Sequence, residues 1–494
     1  MTTAPATVAK AASATDKRIV AARTITAHIA EHLQADLSLR LWTGEVLPLG
    51  PGARDDIQIV VARPSVVRRI LLKPGLMTLF EMFGTGDLRV EGGSPLDAAD
   101  RWDHGRAIHL AKRVDRMLIA KAAIPFLLSG DDAGATELPA WDSTGKDGVG
   151  AEKAGRRDQD FIQFHYDVGN DFYRLFLDPE MVYSSAYFTD HDATLEAAQE
   201  EKLDRICKKL RLKPGQKLLD VGCGWAGLSC WAAKNYGVTV HGVTLSQAQL
   251  DFGRAKVKAM GLEDKVTLEL KDYRHITENG AYDAISQVEM FEHVGFANHE
   301  RHFLEMKRLL KPRGLYFHQA SVRRGGRVAI KPTATTKVIT RFIFPGGELD
   351  TIGMTVTNLG RLGFETLDVE DMREHFELTL KHWEDRLYDR REEAYALVGQ
   401  ARTRLWLIYF ALFKKSFERG SVLVYQTVAQ KRRPGPSGLP LDRKSLYIDP
   451  PKRAVAVAVT ATKPAPKPRG LKATMAKAIA SVTGSKRGRA KPAR

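Results

Sequence analysis

The sequence predicts an α/β fold: a seven-stranded, Rossmann-like sheet with helices on both faces, a helical insertion near its end, and a small α+β module in front. Three observations predict it. Apolar, β-branched runs at 217–222, 238–244, 266–272, 282–288 and 315–321 alternate with helical patterns, as parallel strands joined by crossover helices do. Two further runs, 364–370 and 422–428, flank a long helical stretch over 375–420, which gives seven strands with an insertion between the last two. Gly222, Gly224 and Gly227 follow the first run as G-x-G-x-x-G, a spacing that lets backbone and a helix N-terminus approach a ligand closely.

A chain of 494 residues needs more than one core. Residues 1–19 are Ala/Thr-rich without the features of a secretory leader and are expected to be disordered. Residues 20–128 read as an accessory module of the lipid-binding kind, with Ile25, Ile29 and Leu33 at helical spacing, a strand at 57–61 and no catalytic motif. Residues 129–160 are poor in large apolar side chains and read as a linker, 161–430 as the main domain, and 431–494 as a basic disordered tail. The net charge of +16 is concentrated there: residues 431–494 carry +15 of it. The body is therefore nearly neutral, and nucleic acid is not the expected partner. Cys207, Cys223 and Cys230 show neither CxxC pairing nor a neighbouring His cluster, so no metal site and no disulfide are expected.

The glycine turn alone does not name its ligand. A dinucleotide site wants an acid about 20 residues on, but the second run ends Gly242-Val243-Thr244-Leu245-Ser246-Gln247, which disfavours NAD. Four segments decide more: His165-Tyr166-Asp167-Val168-Gly169-Asn170-Asp171-Phe172-Tyr173, the run from Leu218-Leu219-Asp220 through Gly227, Gly242-Val243-Thr244-Leu245-Ser246-Gln247-Ala248-Gln249, and Met290-Phe291-Glu292-His293-Val294-Gly295. In order and spacing they resemble the cyclopropane-fatty-acid synthase family, including the mycolic acid cyclopropane synthases and methyltransferases, over about 161–430. The resemblance implies a class I methyltransferase fold that takes S-adenosylmethionine as methyl donor. It further implies cofactor contacts from Tyr183, Ser184, Asp220, Gly222, Gly224, Gly227, Thr244, Ser246, Gln249, Asp272 and Tyr273, with Gln249 in place of the usual acid. A sulfonium nucleoside requires such close backbone approach, ribose partners and aromatic or carboxamide surroundings.

The resemblance also implies the reaction: the double bond of an unsaturated phospholipid acyl chain attacks the sulfonium methyl group, leaving a carbocation that must lose a proton. Glu292 and His318 carry over as residues of the reacting centre, beside a bicarbonate ion acting as base, and both sit at strand ends where open α/β sheets bind ligands. Adjacent His293 is expected to serve the helix start. Ser185 stands where the family has Cys, Phe376 where it has Tyr, and Phe413 where it often has Cys. Ser185 keeps a hydroxyl, whereas Phe376 removes a hydrogen bond to the anion worth about 1.5–3 kcal/mol. The expected product is a cyclopropane fatty acyl phospholipid; the alternatives are a methyl-branched or methylene chain, or a non-catalytic lipid or nucleic-acid binder. Residues 405–413 are apolar on every face of a helix and must be buried, in the family beside the acyl chain. The expected partners are an anionic phospholipid surface, reached through the basic tail, the acyl substrate and a second copy of the chain as homodimer. The expected location is cytoplasmic, against the inner face of the cytoplasmic membrane.

Overall fold

The computed structural model describes residues 16–129, 168–325 and 333–447. The expected linker beyond Ser129, His165-Tyr166-Asp167 and the basic tail beyond residue 447 lie outside the described residues.

The N-terminal module opens with the helix Lys17–Leu33, capped by Asp16, whose carboxylate accepts from Arg18 N. The helix buries Ile25 and two alanines against the module. Behind it, β1 (Ser38–Arg40), β2 (Val46–Pro48), β3 (Gln58–Val61) and β4 (Leu88–Glu91) form a sheet in the order β2-β1-β3-β4. On its helix His28, Glu31 and His32 bring ligand atoms within 4.8 Å of one another. His28 Nε2, however, accepts from Asp115 N at 2.7 Å, so metal binding through Nδ1 would require an imidazolate.

The main domain is a seven-stranded sheet of β5 (Lys217–Val221), β6 (Thr239–Thr244), β7 (Val266–Leu270), β8 (Tyr282–Val288), β9 (Leu310–Arg323), β10 (Phe364–Asp371) and β11 (Val422–Lys431), in the order β10-β11-β9-β8-β5-β6-β7. β5 through β9 run parallel, while β11 pairs antiparallel with both β9 and β10. Leu218, Leu219, Asp220 and Val221 of β5 are all buried, the pattern of a strand covered on both faces. From β5 the chain winds outward to β6 and β7, then returns to β8 on the other side. That reversal opens a crevice at the carboxyl ends of β5 and β8.

The insertion folds as three helices, Arg373–Asp389, Arg391–Val398 and Gln400–Glu418. Leu405, Trp406, Leu407, Tyr409 and Phe410 of the last are buried, in one apolar cluster with Phe172, Phe176 and Trp383. The N-terminal module packs against these helices and against the helix Ala334–Phe342: Glu384 accepts from Leu96 N at 3.3 Å, Phe80 stacks on Phe342 at 6.1 Å, and Arg341 pairs with Glu81 at 3.1 Å. Module and sheet thus belong to one compact unit ending at Ile448.

The expected tail boundary at 431 falls too early. Arg443 Nη1 pairs with the buried Asp368 carboxylate at 2.8 Å, and Leu446 is buried, so residues 432–447 stay on the sheet's edge. Composition does not reveal a single arginine anchor. Among the described residues no helix is long and apolar enough to cross a membrane.

Candidate active site

β5 runs straight into the glycine turn. Gly224 sits at φ +52, in the left-handed region that a side chain resists. Gly227 begins the helix Gly227–Tyr236, where an added Cβ would lie 2.9 Å from Glu180 O and 3.1 Å from Val182 Cγ2. The turn is held from below by Asp220, whose two carboxylate oxygens accept from Ser229 Oγ at 2.7 Å and Ser286 Oγ at 2.8 Å. Burial raises the Asp220 carboxyl above its ordinary range, against those hydroxyls and the charge of Lys202.

Above the turn opens a cavity of about 1210 Å³ counted to its mouth. On one wall Thr244 Oγ1 donates to Gln249 Oε1 at 2.8 Å, which leaves the Gln249 amide Nε2 without a partner among the described residues. Asp272 accepts from Arg274 N at 2.9 Å and Nε at 3.0 Å. Burial pushes the Asp272 carboxyl up, but these bonds outweigh it and hold it below the usual range. Tyr273 shares its hydroxyl with His302 Nδ1 at 2.9 Å. On the other wall Tyr183 stacks on Trp383 at 4.9 Å, and the buried Lys202 donates to Ser184 Oγ at 2.7 Å. An adenosine and an aminoacyl sulfonium fit this donor set: backbone at the turn, an ionised acceptor at Asp272, and a free carboxamide donor at Gln249.

Tyr183, Ser184, Asp220, Gly222, Gly224, Gly227, Thr244, Gln249, Asp272 and Tyr273 line the cavity. Ser246 does not; its hydroxyl caps the helix Gln247–Ala259, accepting from Gln249 N at 3.3 Å. His293, expected to serve only the helix start, does line it.

The reacting end differs more. His318 lies on the far face of β9, because successive side chains of a strand point to opposite faces. There its Nδ1 meets Gln287 Oε1 at 2.9 Å and Tyr316 OH at 3.1 Å, in a network that includes His302. Burial pushes its imidazole down to about 3, so it is neutral and a poor base at physiological pH. Its neighbour Gln319 points to the opposite face, where it is fully buried outside the cavity lining and its Nε2 donates to Glu289 Oε1 at 2.6 Å. Glu292 is not part of the lining either: Oε1 accepts from Ser321 N at 2.6 Å, and burial, reinforced by Glu289, raises its carboxyl to about 8. Ser185 is buried, and its hydroxyl donates to Ala186 O at 3.2 Å. What it offers the site is its backbone, with Ser185 N donating to Glu289 Oε1 at 2.9 Å. Phe376 packs on Phe417 at 4.7 Å and Phe413 on Tyr409 at 4.9 Å.

Three residues that sequence reasoning missed therefore meet here: Glu289, Gln319 and Lys202. Glu289 directly precedes the Met290-Phe291-Glu292 motif and adopts φ +50, rare for a side-chain-bearing residue. A charged residue at the end of a buried strand was the available signal. A bicarbonate ion does not fit beside Ser185, since the donors it would need there, Ser185 N and Gln319 Nε2, already serve the Glu289 carboxylate.

A mostly parallel sheet with this strand order and an antiparallel β11, a glycine turn after β5 and a crevice at the reversal point define a class I S-adenosylmethionine-dependent methyltransferase. Within that class, the family model described as mycolic acid cyclopropane synthetase matches residues 153–427, and the chain belongs to that family. A probable fatty acid methyltransferase of Pseudomonas putida is 35% identical over 420 residues, covering 84% of this chain and 98% of that one. The cyclopropane-fatty-acyl-phospholipid synthase of Escherichia coli K12 is 35% identical over 264 residues, 53% of this chain and 66% of that one. Among solved structures, the cyclopropane synthase MmaA2 from Mycobacterium tuberculosis matches with a TM-score of 0.53 at 30% identity, over 56% of this chain and all of that one. The mycolic acid cyclopropane synthase CmaA1, complexed with SAH and CTAB, matches with 0.53 at 32%, over 56% of this chain and 99% of that one.

Proposed function

We propose that this chain transfers the methyl group of S-adenosylmethionine to the cis double bond of an unsaturated phospholipid acyl chain. One observation carries the reading: Tyr183 belongs both to the cavity lining and to the aromatic cluster of Trp383, Trp406 and Phe410. The donor cavity therefore adjoins a wall suited to an apolar acceptor and offering a soluble one little. The names of the fatty acid methyltransferase and lipid synthase relatives support the same substrate class. Aligned at near-attack distance, donor and alkene need little else for the methyl step.

The product is read as a cyclopropane fatty acyl phospholipid. A methylene or methyl-branched chain is the second reading, favoured by Phe376, which brings a ring where a hydroxyl would steer the carbocation. The enzyme would work at an anionic bilayer surface on the cytoplasmic side, drawn there by the basic residues beyond 447. Lipid profiling of a host rich in unsaturated phospholipids tests this. Acyl chains one carbon longer, ring-bearing or branched, are expected with wild type and not with Gly227→Val. An unchanged lipid profile despite folded, cofactor-binding protein would refute the reading, and mild hydrogenation separates a ring from a methylene group.

A further inference from the structure

We propose that Glu289 is the base of this reaction: its free carboxylate oxygen takes the proton that the transferred methyl group gives up. The proposal rests on methyl transfer to an alkene being the reaction of this site.

The geometry singles Glu289 out among the acids of the cavity. Both oxygens of Asp220 accept serine hydroxyls, and Asp272 is tied to Arg274. Glu292 is likewise held by one oxygen, Oε1 on Ser321 N, with Oε2 unpartnered among the described residues, but it lies outside the lining. Glu289 lines the cavity and is only part-buried. Its Oε1 is gripped by Ser185 N and Gln319 Nε2, and no described residue donates to Oε2. A carboxylate clamped by one oxygen and open at the other has the geometry a general base needs. The backbone is equally committed: Glu289 N donates to Gln319 O at 2.7 Å, and φ is +50. Such a conformation costs a side-chain-bearing residue energy and is held here by that backbone bond. Burial raises the carboxyl above its ordinary range, against the hydrogen bonds from Ser185 and Gln319 and the charge of Lys202.

The step balances. The alkene π pair forms a bond to the methyl carbon as the S–CH3 bond breaks, leaving S-adenosylhomocysteine and a cation on the neighbouring chain carbon. Glu289 Oε2 then accepts a proton from that methyl group, and the released C–H pair closes onto the cation as a three-membered ring. If a hydride first shifts from the methylated carbon to the cation, the same proton loss yields an exocyclic methylene group. Ser185, Gln319 and Lys202 act through Glu289 as positioning residues.

The test uses the full chain, S-adenosylmethionine and vesicles of cis-monounsaturated or fully saturated phosphatidylglycerol in carbonate-free buffer, reading S-adenosylhomocysteine and acyl products. Wild type is expected to turn over only on unsaturated vesicles, at a rate indifferent to added bicarbonate. Glu289→Gln should lower kcat by about 100-fold or more and flatten the acidic limb of the pH profile, with cofactor affinity by calorimetry unchanged. Glu289→Gly suits the backbone at φ +50 and guards against misfolding. It should be equally slow, and be rescued by formate or bicarbonate filling the vacated place beside Ser185 N and Gln319. A Gln variant within threefold of wild type, or a wild-type rate that tracks bicarbonate, overturns the role of Glu289 alone. A wild type silent on unsaturated vesicles overturns the acceptor reading and the base with it.

Discussion

At the cofactor end of the cavity, Gly222, Gly224 and Gly227 come from one short stretch, and Thr244 reaches Gln249 only five residues away. At the acceptor end, Ser185 and Glu289 are 104 residues apart, and Glu289 and Gln319 are 30 apart. The first is mainly a local backbone shape, although Gly227 also lies against Glu180 and Val182 of an earlier segment. The second exists only once β8 and β9 pair in register and the segment around Ser185 is laid over them. The glycine turn at the donor end is thus written largely locally, whereas the arrangement around Glu289 is written in the tertiary fold.

Four outcomes would break or sharpen that contrast. The largest effect is expected at the donor end: Gly227→Val drives side-chain carbon into Glu180 O and Val182, at the 2.9 and 3.1 Å where even a Cβ would sit. Cofactor binding by calorimetry should weaken by about 100-fold or more, as overpacking of about 3 kcal/mol would give. Next, Gln319→Leu removes one of the two donors to Glu289 and should lower kcat by about tenfold, with the KM for cofactor little changed. A change in KM alone would mean that Gln319 serves the donor, and the division between the two ends would be wrong.

Glu384 gives an outcome from outside the cavity, at the junction with the N-terminal module. Burial raises its carboxyl from 4.5 to about 8, against hydrogen bonds from Ser94 and Leu96. A raised folded value means that the protonated form stabilises the fold. That contribution is complete below about 4.5 and is lost as pH climbs to about 8. Glu384→Gln should therefore stabilise the protein by on the order of 2 kcal/mol at pH 8 and by almost nothing at pH 4, measured by denaturant unfolding. An equal effect at both pH values would show that charge is not what the junction resists. The smallest effect on turnover is expected from His318→Asn. It should cost about 1–2 kcal/mol of stability through the Gln287 and Tyr316 network and leave kcat within about threefold of wild type. A larger loss of kcat than that of Gln319→Leu would reverse the assignment of faces on β9.

The seven strands, the insertion and the glycine turn were legible in the sequence because each follows from hydrophobic period or from a conformation that glycine permits. Ten of the eleven residues expected to touch the cofactor line the cavity; Ser246 instead caps a helix, a place its residue type suits as well. His318 shows where such reading stops. In a strand one step in sequence exchanges the two faces, and only the pairing of β9 with β8 decides that Gln319, not His318, reaches Glu289. Glu289 carried no motif of its own, and its partners could not be read from spacing.

The sequence by itself determined the class of fold and the glycine turn, since these depend on hydrophobic period and contacts close along the chain, and it pointed to the methyl donor only through the resemblance of four separated segments. Only the tertiary structure decided which acid faces the cavity, that 432–447 stay packed through Arg443, and that the N-terminal module rests on the insertion helices. Those depend on registers and long-range contacts, which residue order leaves open until the sheet is assembled.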